Sequence, residues 1–527
     1  MLAPTFNKGV NVKLHNIVGN THGHLPCLRH PRNNSGSRFR LSYKLSYNRA
    51  AQRRPRVVPR RNATSLSSSS LSPKGSSQAE KQQVKTITTN LADQPLGSLA
   101  EFRVATYNIL CPAYRRMGNA RESEDEDCWK SRLARVVHDL KQTNADVLCL
   151  QEVWLANEEA TDILKQALDE AGYDTYTTKR TSHWNAREDG LLTATRRSFA
   201  QVIDQVDIPF NDCGDRTAQL VWLKLHGGGQ VAVVNLHLLF PHNANSTVIR
   251  LRETFKLLEF LEAWRQPNIP FVALGDWNGS ERGRVQRFLR SQGWVSALKS
   301  CGISSTDDEE TDEWISHVNH HGELVGVDHV LVLNPSVADT KDLAADWRRA
   351  VVAMMEAQLV QDGVCTTDEA FSAFDDNRNG VMDISEFRAM VERLGCTGEG
   401  SIGLLPHEID EIFNGLSERD SCDDSCEIAL ADFRSWFDVE TMASAYSRVR
   451  DTMNIEEGDW DARDLATSRA APTCTLAPLE CENTLPGELC CVAAGSIHGA
   501  AMSGEWPSEC PSDHVPVYCD LSLNPQP

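Results

Sequence analysis

Beyond residue 98 the chain alternates between two hydrophobic periods. Phe102–Leu110 alternates in the strand manner, whereas Cys128–Gln142 sets Trp129, Leu133, Val136, Val137 and Leu140 on one helical face. Asp146–Val153 and Asp189–Arg196 are short apolar runs of strand length. Ala218–Leu225 and Gln230–Leu238 predict a hairpin about the turn Gly227–Gly229. Leu251–Trp264 predicts an amphipathic helix, Pro270–Leu274 a buried strand and Val325–Leu333 another. This mixture predicts a sheet-rich, layered α/β domain. After Asn334-Pro335 the pattern becomes acidic and mostly helical through residue 505, and strand-like sequence returns only at Val515–Leu521.

Composition sharpens this picture at the N-terminus. The 527 residues carry a net charge of −20, yet residues 1–79 hold no Asp or Glu and fourteen Lys and Arg. The remainder therefore has 53 − 14 = 39 basic against 73 acidic residues, or −34. An Arg- and Ser-rich, acid-free leader lacking the roughly 7–15-residue apolar core of a secretory signal predicts an organellar transit peptide. The run Ser65–Ser70 favours chloroplast over mitochondrion, with a basic tail on a cytoplasmic protein as the alternative. The acidic body lacks the basic bias of a protein that grips long nucleic acid. No run reaches the roughly 18–20 apolar residues of a membrane span. Sixteen cysteines show no zinc-like spacing, and the six at Cys474, Cys481, Cys490, Cys491, Cys510 and Cys519 are expected to be free thiols in preference to disulfides.

Candidate chemistry sits where strands end. Asn108 closes the first strand and Gln151-Glu152 the next, followed by Asn235 and His237, Gly275-Asp276-Trp277-Asn278, Val327-Asp328-His329 and Ser512-Asp513-His514-Val515. A single strand-terminal Asp is usually a turn or cap, and a single His usually structural. Six such ends in order are not demanded by packing.

The ordered set resembles the endonuclease/exonuclease/phosphatase superfamily over residues 100–335 and 505–525, with Gly-Asp-Trp-Asn and Ser-Asp-His as its most specific elements. With Trp314–His320 and the loop described below, it is most similar to plant calcium-binding members of that superfamily. The resemblance implies a four-layer α/β sandwich of two packed sheets flanked by helices. It also implies Mg²⁺ (or Mn²⁺) at Asn108 and Glu152, with help from Asp513, and Asp276 aligning or activating water. Asn278 would orient the phosphate. His514, held by Asp328, and His237, with Asp189 as its carboxylate partner, would meet the phosphate from two sides. The chemistry agrees on its own terms, because phosphate-ester hydrolysis needs charge neutralisation, an in-line water and oxyanion donors. Arg216 and Arg252 are weaker phosphate candidates and read more simply as surface arginines. For His317, Asn319 and His320, substrate contact and a solvated loop both remain open.

Asp375–Glu386 fits the twelve-residue EF-hand loop. Asp375, Asn377, Asn379, Val381 (through its carbonyl), Asp383 and Glu386 are the expected Ca²⁺ ligands, and Gly380 supplies the turn. A degenerate partner is expected near Ser421–Asp432, where Ser421, Asp423, Ser425 and Asp432 stand at ligand positions and Cys426 replaces the glycine.

The chain thus divides into a transit peptide with linker (1–98), the first part of a catalytic domain (99–335), a helical EF-hand insert (336–460), a Cys-containing connector (461–504) and the end of the catalytic domain (505–527). The expected activity is metal-dependent hydrolysis of a phosphate ester (nucleotide, nucleic acid, inositol or lipid phosphate), with nucleotides or short RNA favoured. The competing reading is a calcium-sensing interaction protein on an inactive nuclease-like fold.

Overall fold

The computed structural model describes residues 100–180, 187–241, 246–301, 314–319, 322–337, 342–397, 403–417, 426–453, 479, 485, 487–497, 506–507 and 510–524. The expected transit peptide and linker, His320, Ser421, Asp423, Ser425, Cys474 and Cys481 lie outside the described residues.

The chain opens with β1 (Ala100–Asn108), a small ladder of β2 (Arg116–Met117) and β3 (Ala120–Arg121), and α1 (Glu126–Thr143). Next come β4 (Val147–Val153), α2 (Glu158–Glu170), β5 (Tyr173–Lys179), β6 (Gly190–Arg196), β7 (Ala200–Pro209), β8 (Thr217–Leu225) and β9 (Gln230–His237). They are followed by α3 (Ser246–Trp264), β10 (Phe271–Asp276), α4 (Arg284–Ser291), β11 (Val295–Ser296) and α5 (Ala297–Ser300). A hairpin of β12 (His317–Val318) and β13 (Leu324–Val325) leads to β14 (Asp328–Leu333). The acidic segment supplies α6 (Leu343–Gln361), α7 (Thr367–Phe374), β15 (Val381–Met382), α8 (Ile384–Arg393), α9 (Pro406–Leu416), β16 (Ile428–Ala429), α10 (Leu430–Trp436) and α11 (Val439–Met453). The chain finishes with β17 (Leu489–Ser496) and β18 (Val517–Leu523).

Two six-stranded sheets result, ordered β17-β18-β1-β4-β6-β5 and β11-β14-β10-β9-β8-β7. Apolar faces of both meet in one cluster: Val104, Val147 and Cys149 from the first pack with Val221, Val233, Val272 and Val330 from the second. The outer face of the first sheet buries Leu148, Leu150 and Leu192 under Val136 and Leu140 of α1 and Leu164 and Leu168 of α2. The outer face of the second buries Val234, Leu236 and Ala273 under α3 and α4. Helix, sheet, sheet, helix is therefore the layer order. Successive side chains of a strand point to opposite faces, so the continuous apolar runs Val147–Leu150 and Val231–Val234 bury both faces against different layers.

The acidic segment joins this architecture through α6, whose Val351, Val352 and Met355 continue the α3/α4 cluster. Beyond it, α7–loop–α8 and α9–loop–α10 are two helix–loop–helix units joined by a two-stranded ladder, with Val381 opposite Ala429 and Met382 opposite Ile428.

Three elements differ from the sequence reading. The α3 helix begins at Ser246, and its first turns are buried all round, so no amphipathic period announces them. Residues 489–496, within the expected connector, form the edge strand β17, bulged between Cys491 and Ala493. Cys490 is disulfide-bonded, contrary to the free-thiol expectation, whereas Cys491, Cys510 and Cys519 are thiols.

Candidate active site

Strand register brings the strand-end residues together. Parallel pairing sets Asn108 of β1 beside Gln151 of β4, and Asp276 of β10 beside His237 of β9; antiparallel pairing sets Asp276 opposite Asp328 of β14. Gly275 permits this closeness, because a Cβ there would meet Leu236 O at 2.0 Å. Glu152 lies at a register shift in β4 with φ +55°, a strained conformation for a side-chain-bearing residue that turns its carboxylate out of the alternation.

Asn108 links the two sheets, donating from Nδ2 to Asp276 Oδ2 at 2.9 Å and to Glu152 Oε1 at 3.3 Å. Its Oδ1 accepts from Leu110 N at 3.0 Å. The side chain thus bridges the two carboxylates. Glu152 Oε2 accepts from Cys111 N at 3.1 Å. Beneath this loop the buried Arg132 of α1 binds the carbonyls of Ile109, Leu110 and Pro511, so one side chain fixes both Asn108 and the Ser512–His514 segment.

His514 donates from Nδ1 to Asp328 Oδ2 at 2.8 Å, and its Nε2 stands 3.7 Å from Asp276 Oδ2. Burial alone would lower this imidazolium; Asp328 and Asp276 overcome that penalty and raise its pKa to about 10. Burial pushes Asp276 up to about 6 against the opposing pull of His514. Burial, then the neighbouring Asp189 and Asp513, push Glu152 up to about 7.

His237 is the neutral counterpart. Burial, with Arg216 and Arg180 nearby, holds it well below the usual histidine range. Its Nδ1 faces Arg216 Nη1 at 2.7 Å and its Nε2 lies 3.3 Å from Asp276 Oδ2. A neutral ring accepting from Arg216 must carry its proton on Nε2 and aim it at Asp276.

That geometry corrects the partner expected for His237. Asp189 is buried but bonds Tyr114 Oη at 2.5 Å and Arg180 Nη1 at 2.9 Å, and it is the Arg216 guanidinium that meets His237. Neither arginine is a surface residue. Arg216 is 7% exposed, its Nε has no hydrogen-bond partner, and no carboxylate lies within ion-pair distance among the described residues. Arg252 is 4% exposed and pairs with Asp212 and Glu408, away from the strand ends.

Gln151, Asn235 and Asn278 are held in place by buried hydrogen bonds. Gln151 Nε2 donates to Asn235 Oδ1 at 2.8 Å, and Asn235 continues to the Leu192 carbonyl at 3.1 Å, forming a buried strut between the sheets. Asn278, at φ +49°, donates from its backbone to Asp276 Oδ1 and from Nδ2 to Leu238 O, both at 2.9 Å. Trp314 is buried, and its Nε1 caps the Asp328 carbonyl at 2.9 Å. His317 lies inside the site, its ring 4.1 Å from that of His514 and its Nδ1 3.0 Å from Asp513 O. Ligand atoms of His317, Asp513 and His514 lie within 4.8 Å of one another. Asn319 turns outward to Glu323.

Tyr114 and Arg180 were not anticipated from sequence, and Arg216 was undervalued. A signal existed for Arg216: counting outward from the Gly227–Gly229 turn along the hairpin register, where Ala218 opposes Leu236, brings Arg216 level with Leu238, one residue past His237. Tyr114 and Arg180 follow no period, since both enter from irregular backbone.

The profile of the endonuclease/exonuclease/phosphatase family matches residues 105–348. An uncharacterized calcium-binding protein of Arabidopsis thaliana is 36% identical over 343 residues, which cover 62% of this chain and 68% of that protein. The chain belongs to the endonuclease/exonuclease/phosphatase family. This family member is a hydrolase of phosphate ester bonds. A second relative, carbon catabolite repressor protein 4 homolog 3 of Arabidopsis thaliana, is 26% identical over 226 residues, 41% of this chain and 47% of that protein. Among solved structures, the human nocturnin catalytic domain with bound sulfate matches at a TM-score of 0.36 and 19% identity, covering 44% of this chain and 82% of that one.

Proposed function

We propose that the protein hydrolyses a phosphate ester with Mg²⁺ (or Mn²⁺) at the Glu152 end of the site, and that it binds Ca²⁺ at Asp375–Glu386. The observation that carries the first part is the electrostatic imbalance around Glu152. Half-buried Glu152 interacts with the Asp189 and Asp513 carboxylates, of which Asp189 is ion-paired to Arg180, and burial with these neighbours pushes it up to about 7. Hard, like-charged oxygen donors of this kind fit a small divalent cation. Glu152 and Asn108, with help from Asp513, would hold it, and Asn108 also orients Glu152. The ion would supply charge neutralisation on the substrate phosphate.

The remaining steps belong to side chains. His514, cationic through its bond to Asp328, and Arg216, with an unpaired Nε–H, bind the phosphate from opposite sides of Asp276. Asp276 accepts the proton of a water that attacks phosphorus in line. The ester P–O bond then breaks, and its electron pair leaves with the departing oxygen. Neutral His237 donates from Nε2 to Asp276 and keeps that carboxylate aimed.

Calcium binding rests on loop chemistry. Asp375 accepts from Asn379 N and Gly380 N, Glu386 reaches back to Asn377 N and Asp383 N, and Gly380 turns at φ +83°. Six oxygen-bearing positions therefore converge on one twelve-residue turn. The name of the 36%-identical relative agrees. In the second unit Asp432 accepts from Ala429 N and Cys426 meets Ser417 Oγ, while the expected positions Ser421, Asp423 and Ser425 lie outside the described residues; the proposed role of this hand is to pack against the first without binding Ca²⁺.

Nucleotides or short RNA are the proposed substrates, since the acidic body disfavours long duplexes. The test is phosphate release from mononucleotides, oligoribonucleotides, inositol phosphates and phospholipids with Mg²⁺, with and without EDTA. Turnover abolished by EDTA and by Glu152→Gln supports the reading. Turnover of none of these substrates, with Ca²⁺ still bound, favours a calcium-sensing protein on an inactive fold.

A further inference from the structure

Arg216 stands at the end of a short loop that is held from outside the catalytic strands. Phe210 N bonds Arg216 O at 3.2 Å, closing the loop, and Asn211 and Asp215 within it adopt φ +50° and +55°. The buried Asp212 carboxylate anchors the loop: it meets Arg252 Nη1 at 3.2 Å and Lys256 Nζ at 2.8 Å, both from α3. Arg252 in turn grips the Glu408 carboxylate in a fork, Nε to Oε1 at 2.5 Å and Nη2 to Oε2 at 2.6 Å, and also binds the Gly403 carbonyl. Glu408 belongs to α9, so this fork crosses from the helix–loop–helix segment to the catalytic helix.

We propose that Glu408 and Arg252 are positioning residues for Arg216, so that the helix–loop–helix segment completes the phosphate-binding side of the active site. The path is short and made of charged contacts: Glu408 to Arg252, Arg252 to Asp212, and Asp212 through a closed loop to Arg216, whose Nη1 meets His237. Paired, planar forks fix orientation as well as distance. If Glu408 is neutralised, Arg252 loses the partner that holds it level with Asp212, and the loop keeps only one of its two outer anchors, Lys256. Arg216 has no carboxylate of its own among the described residues, so its placement depends on that loop. The proposal rests on the reading of Arg216 as a phosphate contact.

The test is a double-mutant cycle on the full chain, read as affinity for inorganic phosphate from the phosphate-dependent rise in Tm. Glu408→Gln is expected to weaken phosphate binding about 5-fold or more, the lower end of couplings between separate sites. Arg216→Gln should weaken it further, and the double variant should bind as Arg216→Gln alone does. A purely structural role for Glu408 would lower Tm without this non-additivity. Unchanged phosphate affinity in Glu408→Gln, additive losses in the double variant, or a wild type that phosphate does not stabilise each overturn the proposal. Should Glu408→Gln fail to fold, Asp212→Asn makes the same demand from the near end of the path. Parallel assays of phosphate-ester turnover in Mg²⁺ separate the two readings. Coupled phosphate binding without turnover refutes the hydrolytic reading alone; turnover in Glu408→Gln with unchanged KM and phosphate affinity refutes this one alone.

Discussion

His514 donates from Nδ1 to Asp328 Oδ2 at 2.8 Å across 186 positions of sequence. Asp328 begins β14 of the second sheet, whereas His514 precedes the last strand of the first, so the bond closes the active site between sheets. The β12–β13 hairpin reinforces it, since Val318 N bonds Asp513 O and Val515 N bonds Ser316 O, both at 2.9 Å.

Replacing Asp328 by Asn removes the charge that does most to hold the His514 imidazolium. Its pKa should fall from about 10 toward the neutral range, so activity is lost first at alkaline pH. We expect kcat/KM to drop by about 10- to 100-fold at pH 8, typical of a group that orients another, and by less at pH 6. A pH–rate profile with an unchanged basic limb would contradict this role. Stability moves with the same sign: the raised pKa contributes fully below about 6.5, the unfolded value, and is lost as pH rises toward about 10.

Asp276 is expected to set the acid limb. A carboxyl raised to about 6 is a base only once deprotonated, so kcat/KM should rise with pH through that value. Asp276→Asn should reduce kcat by on the order of 10²-fold or more and abolish the limb, which steady-state kinetics between pH 5 and pH 8 would resolve.

Glu253 tests the electrostatics behind the site. It is fully buried, accepts from Leu239 N through Oε2 at 2.9 Å, leaves Oε1 without a partner, and is pushed by burial up to about 8. The unfolded carboxyl loses its proton near 4.3, so between there and about 8 the folded state binds more protons and stability falls as pH rises. Glu253→Gln keeps the acceptor, and its unfolding free energy should change less with pH over that window. Urea melts at pH 5 and pH 8 check it; equal slopes in both proteins would refute the assignment.

Glu386→Gln should remove the bidentate calcium ligand. Wild-type Tm is expected to rise with micromolar to millimolar Ca²⁺, and the variant should lose most of that rise while melting at the wild-type temperature in EGTA. Calorimetric scans across a calcium titration separate the outcomes.

The sequence by itself determined every feature carried by local period or fixed spacing. Strand alternation in Phe102–Leu110, the helical face Trp129–Leu140, the hairpin about Gly227–Gly229 and the twelve-residue loop at Asp375 are each written in consecutive residues. The α/β class and most strand ends follow from them, because a side chain's face is set by its position within its own element. Tertiary structure decided what meets what. Arg216 took the place beside His237 expected of Asp189, which pairs instead with Tyr114 and Arg180; Asn235 and Gln151 became a strut between sheets, and Arg252 joined α3 to Glu408. Those pairings depend on which strands and helices are packed together, and on how far a buried charge lies from its nearest partner. β17 escaped notice for a related reason: its bulge interrupts the two-residue period, and it is held at the sheet edge by long-range pairing with β18 rather than by a pattern of its own.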